Sequence, residues 1–301
     1  MAKLKIFLTG KQGFIGRNIF ELLDKKYQFI APSHDELELV DSDAVYKFMK
    51  KNPIDIVIHL ANRGGNQKEA NFEHVTSYNL RMFFNIVRND QFFKKMILVG
   101  SGAEYGKQLS ISKVKETDFD SRIPSDDFGL YKYICAKYIE KSENIVNLRI
   151  FGLYGKYENW QYRFISNTIC KVIFNMPITI NQNIFFDYLY VEDFTKILDH
   201  FLTHDGKFKT YNVGTGVPID LVSIAQKILK ISGKKLPIKI MKSGLNNEYT
   251  CDNQRLKDEI IGLKFSNFDE KLEYLYRWYQ KNISKIDKNS LNLNRVEIWR
   301  R

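Results

Sequence analysis

A glycine-rich turn near the start of the chain places the strongest constraint on its fold. Residues 9–16 read TGKQGFIG; they follow an apolar, strand-like run at residues 4–8 and precede a helix-like pattern at residues 18–23. In such a unit the first glycine permits a tight turn, the second lets backbone N–H groups approach a pyrophosphate, and the third lets helix and strand pack closely. The order of strand, glycine turn and helix therefore predicts a dinucleotide-binding site.

Strand-like and helix-like segments continue to alternate up to about residue 155. Strands are predicted at residues 27–31, 54–60, 95–99 and 145–150, and helices at residues 41–51 (with Asp41 as N-cap), 75–89 and within 125–142. Near-continuous apolar strands separated by helices indicate a parallel sheet that is covered on both faces. We therefore expect an α/β fold with a doubly wound parallel sheet, which binds ligands at the carboxyl ends of its strands.

Composition limits the compartment and the kind of site. The chain has 301 residues, 44% of them hydrophobic, and no apolar run long enough to span a bilayer. Residues 1–3 lack the apolar core of a signal peptide, and three widely spaced cysteines, Cys135, Cys170 and Cys251, fit neither a disulfide framework nor zinc spacing. We therefore expect a cytoplasmic protein without a metal site.

The formal net charge of +11 is spread along the whole chain. Because no block of Lys and Arg interleaves with aromatic residues, we expect neither a nucleic-acid partner nor a membrane partner. A basic surface of this kind still favours an anionic, phosphate-bearing ligand.

Five further segments carry a resemblance to a known family. They are HLA at residues 59–61, SGAEYG at 101–106, LRIFGLYG at 148–155, DYLYVED at 187–193 and NVG at 212–214. With the glycine turn, and in this order, they make the chain similar to the extended short-chain dehydrogenase/reductases, the NAD(P)-dependent epimerase/dehydratase group that acts on nucleotide sugars. Within that group it resembles GDP-fucose synthase and similar 4-keto-sugar reductases.

This resemblance spans roughly residues 4–280 and implies a domain organisation. A Rossmann-type dinucleotide domain would comprise residues 1–155, with later segments such as 184–213 returning to it. A smaller, mainly substrate-binding domain would comprise residues 156–283. Residues 284–301 would form a basic C-terminal extension.

The family's catalytic group is a serine or threonine, a tyrosine, and a lysine four residues after the tyrosine. Ser101 stands at the serine position. Tyr133 and Lys137 match the rest literally, whereas Phe128 and Lys132 have the same spacing with phenylalanine in the tyrosine position. A glycine directly after Phe128 and a proline four residues before it match the family, so the resemblance implies Ser101, Phe128 and Lys132 as the catalytic positions.

Phenylalanine keeps the ring of that tyrosine but not its hydroxyl. Loss of a positioned proton donor costs about 10²–10⁴-fold in rate, so the activity of this chain is expected to be impaired. Three explanations stay open: Phe128 is a Tyr→Phe change made to trap a substrate complex, the chain is a naturally inactive homologue, or Tyr131 or Tyr133 supplies the hydroxyl instead.

The cofactor is expected to be NADPH, with NAD as the alternative. NAD-specific members carry an acid after the second strand to bind the ribose 2′-OH, whereas residues 30–34 read IAPSH here. Ser33 and His34 would face a 2′-phosphate, and Lys11 would add a charge-assisted contact. The cofactor-binding residues implied by the resemblance are Gly10, Lys11, Gly13, Phe14, Ile15, Gly16, Ser33, His34, Leu60, Ala61, Asn62, Lys132 and Phe151.

The residues after Ser101 limit which reactions of the family are expected. Dehydratases of the family carry Asp-Glu where this chain has Gly102 and Ala103, so 4,6-dehydration is not expected. Ala103 also stands in the cysteine position, and Arg163 near the histidine position, of members that epimerise C3 and C5. The resemblance leaves an NADPH-dependent C4 keto reductase of a nucleotide-linked deoxysugar, in the biosynthesis of a surface polysaccharide such as lipopolysaccharide. A C4 epimerase with tightly bound NAD and a catalytically dead cofactor-binding homologue are the alternatives.

The substrate is expected to be a nucleotide-diphosphate sugar, bound by a homodimer. Many family members hold the diphosphate with an arginine where this chain has Phe186; Arg163 and Lys171 are the candidates to supply that charge, and Arg163 suits bidentate contact with phosphate better. The expected substrate-binding residues are Gly65, Asn66, Ser101, Gly102, Ala103, Arg163, Asn181 and Phe186. The dimer is expected to form through the helices around residues 75–89 and 125–142.

Overall fold

Helices and strands alternate through most of the chain. The computed structural model describes residues 3–64 and 74–292. In chain order the elements are β1 (Lys5–Thr9), α1 (Phe14–Leu23), β2 (Gln28–Ile30), α2 (Ser42–Lys51), β3 (Ile56–His59), α3 (Val75–Val87), β4 (Lys95–Ser101), β5 (Ile111–Val114), α4 (Asp127–Glu140), β6 (Ile145–Ile150), β7 (Gly152–Tyr154), α5 (Phe164–Ile173), β8 (Ile178–Asn183), β9 (Phe185–Tyr190), α6 (Val191–Thr203), β10 (Thr210–Val213), β11 (Pro218–Asp220), α7 (Leu221–Ser232), β12 (Ile238–Leu245), β13 (Tyr249–Cys251), α8 (Gln254–Glu259) and α9 (Phe268–Lys281).

Six strands form the central sheet, in the order β10-β6-β4-β3-β1-β2, and every neighbouring pair is parallel. Both faces of the sheet are buried. Ile6 and Leu8 of β1 pack with α1 and α6, whereas Phe7 packs with α2 and α3, because successive side chains of a strand point to opposite faces. The predicted doubly wound α/β fold is confirmed.

The direction of winding reverses at β1. β2 pairs with one edge of β1 and β3 with the other, and Thr9 lies opposite His59 at the carboxyl ends of β1 and β3. In an open parallel sheet the loops on either side of such a reversal diverge and leave a crevice for ligands. The glycine turn that follows β1 lies at this point.

Capping residues set the ends of the helices. The helix predicted within residues 125–142 runs over Asp127–Glu140, because the Asp126 carboxylate accepts the Gly129 N–H at 3.0 Å and so starts the helix there. Asp41 caps α2 as predicted. β6 runs over Ile145–Ile150, with the predicted bounds, because it is a central strand that is buried along most of its length.

A second group of strands lies beyond the central sheet. β9 pairs antiparallel with β11 and parallel with β7 and β13, β13 also pairs with β5, and β8 pairs with β12. Side chains of α5, α7 and α9 form the core of this region. Of the segment 184–213, β10 joins the central sheet, whereas β9 belongs to the second group.

None of the helices in the described ranges is both long enough and apolar enough to cross a bilayer.

Candidate active site

The turn after β1 packs tightly against the segment that follows β3. Gly10 has a φ of +71°, and a Cβ on it would lie 2.9 Å from the Ala61 backbone nitrogen. The Thr9 hydroxyl accepts the N–H groups of Leu60 and Ala61 at 3.0 and 3.1 Å. These contacts bring together predicted cofactor residues that lie about 50 positions apart in the chain.

His59 and Thr9 support this junction, although neither was among the predicted site residues. The His59 Nδ1 lies 2.9 Å from the Thr9 hydroxyl. Burial lowers the pKa of His59 to about 3, and the neighbouring Lys132 acts in the same direction. The ring is therefore neutral at physiological pH and holds the loops without adding charge.

The N-terminus of α1 fits a diphosphate. Gly13 is the N-cap, and within the described ranges no side chain caps the helix; its first turn also contains no acidic residue. A Cβ on Gly13 would have one neighbour within 4 Å, the Gly10 carbonyl oxygen at 3.3 Å. The first-turn N–H groups, which include those of Phe14 and Ile15, thus lie where backbone amides and the helix dipole favour an anion.

Gly13 and Gly16 are expected to respond differently to alanine. A Cβ on Gly16 would overlap the Gly10 carbonyl oxygen and lie 2.7 Å from the Lys11 Cα, both backbone atoms, so Gly16→Ala should distort the turn. We expect it to lower the free energy of unfolding by about 1–3 kcal/mol and weaken NADPH binding at least about tenfold. Gly13→Ala should weaken binding at a smaller cost in stability, because its methyl group would have one close neighbour, the Gly10 carbonyl oxygen at 3.3 Å, which would have to shift by only a few tenths of an ångström.

Thermal unfolding and titration of NADPH fluorescence would check both glycine variants. Equal stability and affinity for Gly16→Ala and the parent protein would show that the third glycine does not set the packing of the turn.

A carboxylate occupies the region predicted to face a 2′-phosphate. Glu36 accepts hydrogen bonds from the Ser33 N–H at 2.7 Å and the Ser33 hydroxyl at 3.0 Å, while His34 Nε2 lies 3.3 Å from a Glu38 carboxylate oxygen. The bonds from Ser33 lower the pKa of Glu36, and the nearby Lys11 contributes. Sequence reasoning missed Glu36 because the acid comes three residues after Ser33 and is brought back by the turn.

Lys11 itself lies against an aromatic ring. Its ammonium is 3.6 Å from the centre of the Phe20 ring on α1. Lys11 also acts electrostatically on Glu36, so this carboxylate would compete with a 2′-phosphate for the lysine.

A second cluster lies at the carboxyl end of β4. Ser101 caps the 3₁₀ turn Gly102–Tyr105: its hydroxyl accepts the Ala103 N–H at 3.2 Å, and its own N–H donates to Glu104 at 2.9 Å. The buried Lys132 ammonium donates to the Val99 carbonyl at 2.6 Å, and burial lowers the pKa of Lys132. Lys132 thus contacts β4 two residues before Ser101, the last residue of that strand.

Helix α4 approaches this serine turn closely. A Cβ on Gly129 would lie 2.9 Å from the Ala103 carbonyl oxygen and 2.8 Å from the Pro124 Cβ. The residue before Gly129 is Phe128, which is half-buried and packs edge-on against Tyr131 with ring centres 5.4 Å apart. The glycine therefore allows position 128 to lie beside the serine turn.

The alternative motif consists of Tyr133 and Lys137, and both of these side chains contact an exposed carboxylate. The Tyr133 hydroxyl donates to the exposed Asp120 carboxylate, and the Lys137 ammonium lies 2.9 Å from the same group. The Tyr131 hydroxyl is buried and has no hydrogen-bond partner among the described atoms. The geometry therefore favours the register with Phe128 and Lys132 over that with Tyr133 and Lys137.

Tyr249 joins the site from far along the chain. Its hydroxyl lies 3.2 Å from the Ser101 hydroxyl, and a Cβ on Gly102 would lie 2.8 Å from it. Its ring packs against Phe151 and Phe186, with ring centres 5.2 and 5.7 Å away. Burial raises the pKa of Tyr249 well above its ordinary value, so the phenol is neutral. No motif marks this residue, which the pairing of β13 with β5 and β9 brings to the site.

The remaining predicted substrate residues lie on different elements of the fold. Arg163 is the exposed N-cap of α5 and acts electrostatically on Tyr249, whereas Lys171 on the same helix is buried, so the prediction that it supplies charge to a ligand is not favoured. Asn181 lies on β8 and Phe186 on β9. Ala103 is 2% exposed, which leaves little of it for a ligand to touch.

Three other predicted site residues follow β3 in the sequence. Asn62 is exposed beyond β3, and its amide donates to the Leu60 carbonyl at 3.1 Å. Gly65 and Asn66 lie outside the described residues. In the ranges the structure covers, no cluster of three or more His, Cys, Asp or Glu residues could hold a metal ion.

Comparisons with known proteins identify the family of this chain. The model of the NAD dependent epimerase/dehydratase family matches residues 6–214. GDP-L-colitose synthase of Yersinia pseudotuberculosis is 24% identical over 257 residues, which cover 77% of this chain and 83% of that protein.

Two solved structures share the fold. The GDP-mannoheptose C4 reductase of Campylobacter jejuni, with NADP bound, superposes with a TM-score of 0.79 at 19% identity, covering 93% of this chain and 99% of that one. The UDP-glucose 4-epimerase of Thermotoga maritima, with UDP-glucose, gives 0.79 at 18% identity, covering 93% and 100%. The resemblance drawn from the motifs is therefore confirmed: this chain belongs to the NAD-dependent epimerase/dehydratase family.

Proposed function

We propose that this protein is an NADPH-dependent reductase of the C4 keto group of a nucleotide-linked 4-keto-deoxysugar. The observation that carries the proposal is that Lys132 bonds β4 at Val99, two residues before Ser101, while Gly129, next to position 128, packs against the turn that Ser101 caps. Gly102 and Ala103 offer no acid or base for dehydration, which leaves hydride transfer at a single carbon.

Different residues of the chain would have different roles in such a reduction. A bound NADPH supplies the hydride. The first-turn amides of α1 would hold its diphosphate, and Lys132 would face its nicotinamide ribose. Ser101 would donate a hydrogen bond to the C4 oxygen of the sugar, and Arg163 would contact the diphosphate of the substrate. The C4 oxygen must also gain a proton to become a hydroxyl group, and the side chain of Phe128 has no proton to donate.

Two other functions have some support. Glu36, in the turn six residues after β2, can accept a hydrogen bond from a ribose 2′-OH, which favours NAD and hence the C4 epimerase with tightly bound cofactor. Phe128 favours a catalytically dead homologue that retains the cofactor site.

The test is a substrate panel with a Phe128→Tyr variant of the protein. NADPH consumption at 340 nm would be followed with GDP-, UDP- and dTDP-linked 4-keto-6-deoxysugars, and NADPH carrying deuterium at C4 of the nicotinamide would be used for product analysis. Deuterium at C4 of one product sugar supports the reductase. Interconversion of two 4-hydroxy sugars without net NADPH consumption would instead establish the epimerase, and binding of cofactor without any turnover would establish the dead homologue.

Glu36→Gln should distinguish the two cofactors. Removing this negative charge is expected to tighten NADPH binding by at least about threefold, because the 2′-phosphate then meets Lys11 and His34 without an opposing carboxylate. NADH affinity should fall or stay level. Calorimetric titration of both cofactors would measure this, with Glu143→Gln, at an exposed carboxylate between α4 and β6, as the control. Weaker NADH binding without any gain for NADPH would identify NAD as the cofactor.

We further propose that the protein works in the cytoplasm as a homodimer, in the biosynthesis of a surface polysaccharide. For the dimer, α3 and α4 pack side by side, and their aromatic residues Phe83, Phe84 and Tyr138 form a cluster in which Tyr138 is 41% exposed. Light scattering would measure the oligomeric state, and a monomer would overturn this part of the proposal.

A further inference from the structure

A reductase with phenylalanine at position 128 needs another source for the proton. The inference that follows rests on the proposed function and concerns the same site. Beside the Ser101 turn, the described residues provide a second hydroxyl, that of Tyr249.

The position of Tyr249 is well determined. β13, on which it lies, is held between β5 and β9, with Tyr249 opposite Ile111 on one side and Phe186 on the other. Its ring is packed against Phe151. Its hydroxyl has room beside the serine turn because residue 102 is a glycine, whose Cβ would lie 2.8 Å away.

Other tyrosines near the turn have different surroundings. Tyr105 donates to the Asn212 side chain at 2.8 Å and accepts from Arg149 at 2.9 Å, deep in the core. Tyr133 is held by Asp120, and the Tyr131 hydroxyl is buried without a hydrogen-bond partner among the described atoms. Of the tyrosines in the described ranges, Tyr249 is therefore the one whose hydroxyl meets Ser101.

We propose that Tyr249 donates the proton that Phe128 cannot. Two hydroxyls 3.2 Å apart can both donate to one oxygen placed between them, so a sugar carbonyl bound by Ser101 also lies within reach of Tyr249.

The proton balance of this step is complete. As hydride adds to the carbonyl carbon, the π electron pair moves to the carbonyl oxygen, which takes the proton of the Tyr249 hydroxyl. The resulting phenolate is then reprotonated by water. The neutral state of Tyr249, which burial favours, is the form that can donate.

Four proteins test the proposal: the chain as it stands, Tyr249→Phe, Phe128→Tyr, and the double variant. We expect Tyr249→Phe to lower kcat of the chain by about 10²-fold, the cost of losing a general acid. With a tyrosine at position 128, the same change should cost much less, under about fivefold, because that hydroxyl then donates. Tyr131→Phe and Tyr133→Phe, which remove one hydroxyl each, are the matched controls and should leave kcat unchanged.

A binding measurement gives a readout that does not depend on turnover. Calorimetric titration of the panel sugar with the highest turnover, without cofactor, should show an affinity several-fold weaker for Tyr249→Phe than for the chain, since one hydrogen bond to the carbonyl is lost. Activity of the double variant would show that the Tyr249→Phe change leaves the fold intact.

Three results would overturn the proposal. Equal kcat of the chain and Tyr249→Phe, while Phe128→Tyr is active, would do so and leave the reductase function standing. An equal loss in both backgrounds would give Tyr249 a structural role only. Inactivity of all four proteins with every panel sugar would remove the proposed function itself, and this proposal with it.

Discussion

Phe128→Tyr is expected to raise kcat for the reduction of a nucleotide 4-keto sugar by about 10²-fold. The backbone at this position needs no change, because Gly129 already allows α4 to approach the serine turn. In the register that the family resemblance implies, a hydroxyl at position 128 would act together with Ser101 and with Lys132, four residues later. A positioned general acid contributes about 10²–10⁴-fold, and we expect the lower end because Tyr249 already supplies part of this help.

Steady-state measurement of NADPH oxidation would test this prediction. Phe128→Leu, which loses the ring without gaining a hydroxyl, is the control at the same position and should show no increase. In the Phe128→Tyr background, Lys132→Met should remove most of the gain. If Phe128→Tyr and the parent protein turn over at the same rate while Tyr133→Phe abolishes activity, the catalytic register is that of Tyr133 and Lys137.

Arg149→Met is expected to lower the free energy of unfolding by about 3–5 kcal/mol. Arg149 and Glu104 are 1% and 0% exposed and form a buried ion pair, which the Asn147 amide joins by donating to Glu104 at 3.0 Å. Burial opposes the charged form of Arg149, yet the Glu104 carboxylate raises its pKa above the ordinary value. Removing the arginine leaves a carboxylate in the core without its cation, and breaking a buried pair in this way is strongly destabilising.

Urea unfolding of the single variant and of Glu104→Gln/Arg149→Met would measure the effect. The double variant should recover much of the loss, because the buried charge is gone. Catalysis should also suffer in Arg149→Met, since Glu104 accepts the Ser101 N–H at 2.9 Å and holds the serine turn. A loss of less than 1 kcal/mol would show that water or a rearranged partner compensates the carboxylate.

Local patterns in the sequence were sufficient to predict the fold and the position of the glycine turn in the candidate site. The glycine turn could be read directly, because a tight turn, a close approach to phosphate and close helix packing each require glycine within eight consecutive residues. Buried strands such as β4 were equally clear, since its residues 96–99 are apolar on both faces, as expected of a central parallel strand. The ends of α4 were less clear, because they depend on the capping bond from Asp126.

Folding at longer range determined the rest of the candidate site. Glu36 reaches Ser33 through a turn whose effect on the cofactor region is not visible in the residue types alone. Lys171 was a candidate for ligand contact from its type, but the packing of α5 buries it. Ser101 and Tyr249 are 148 positions apart and meet because β13 pairs with β5 and β9. A three-residue strand has too few side chains to specify its partners, so the hydrogen bonds of the assembled sheet, and not the local pattern, place this hydroxyl.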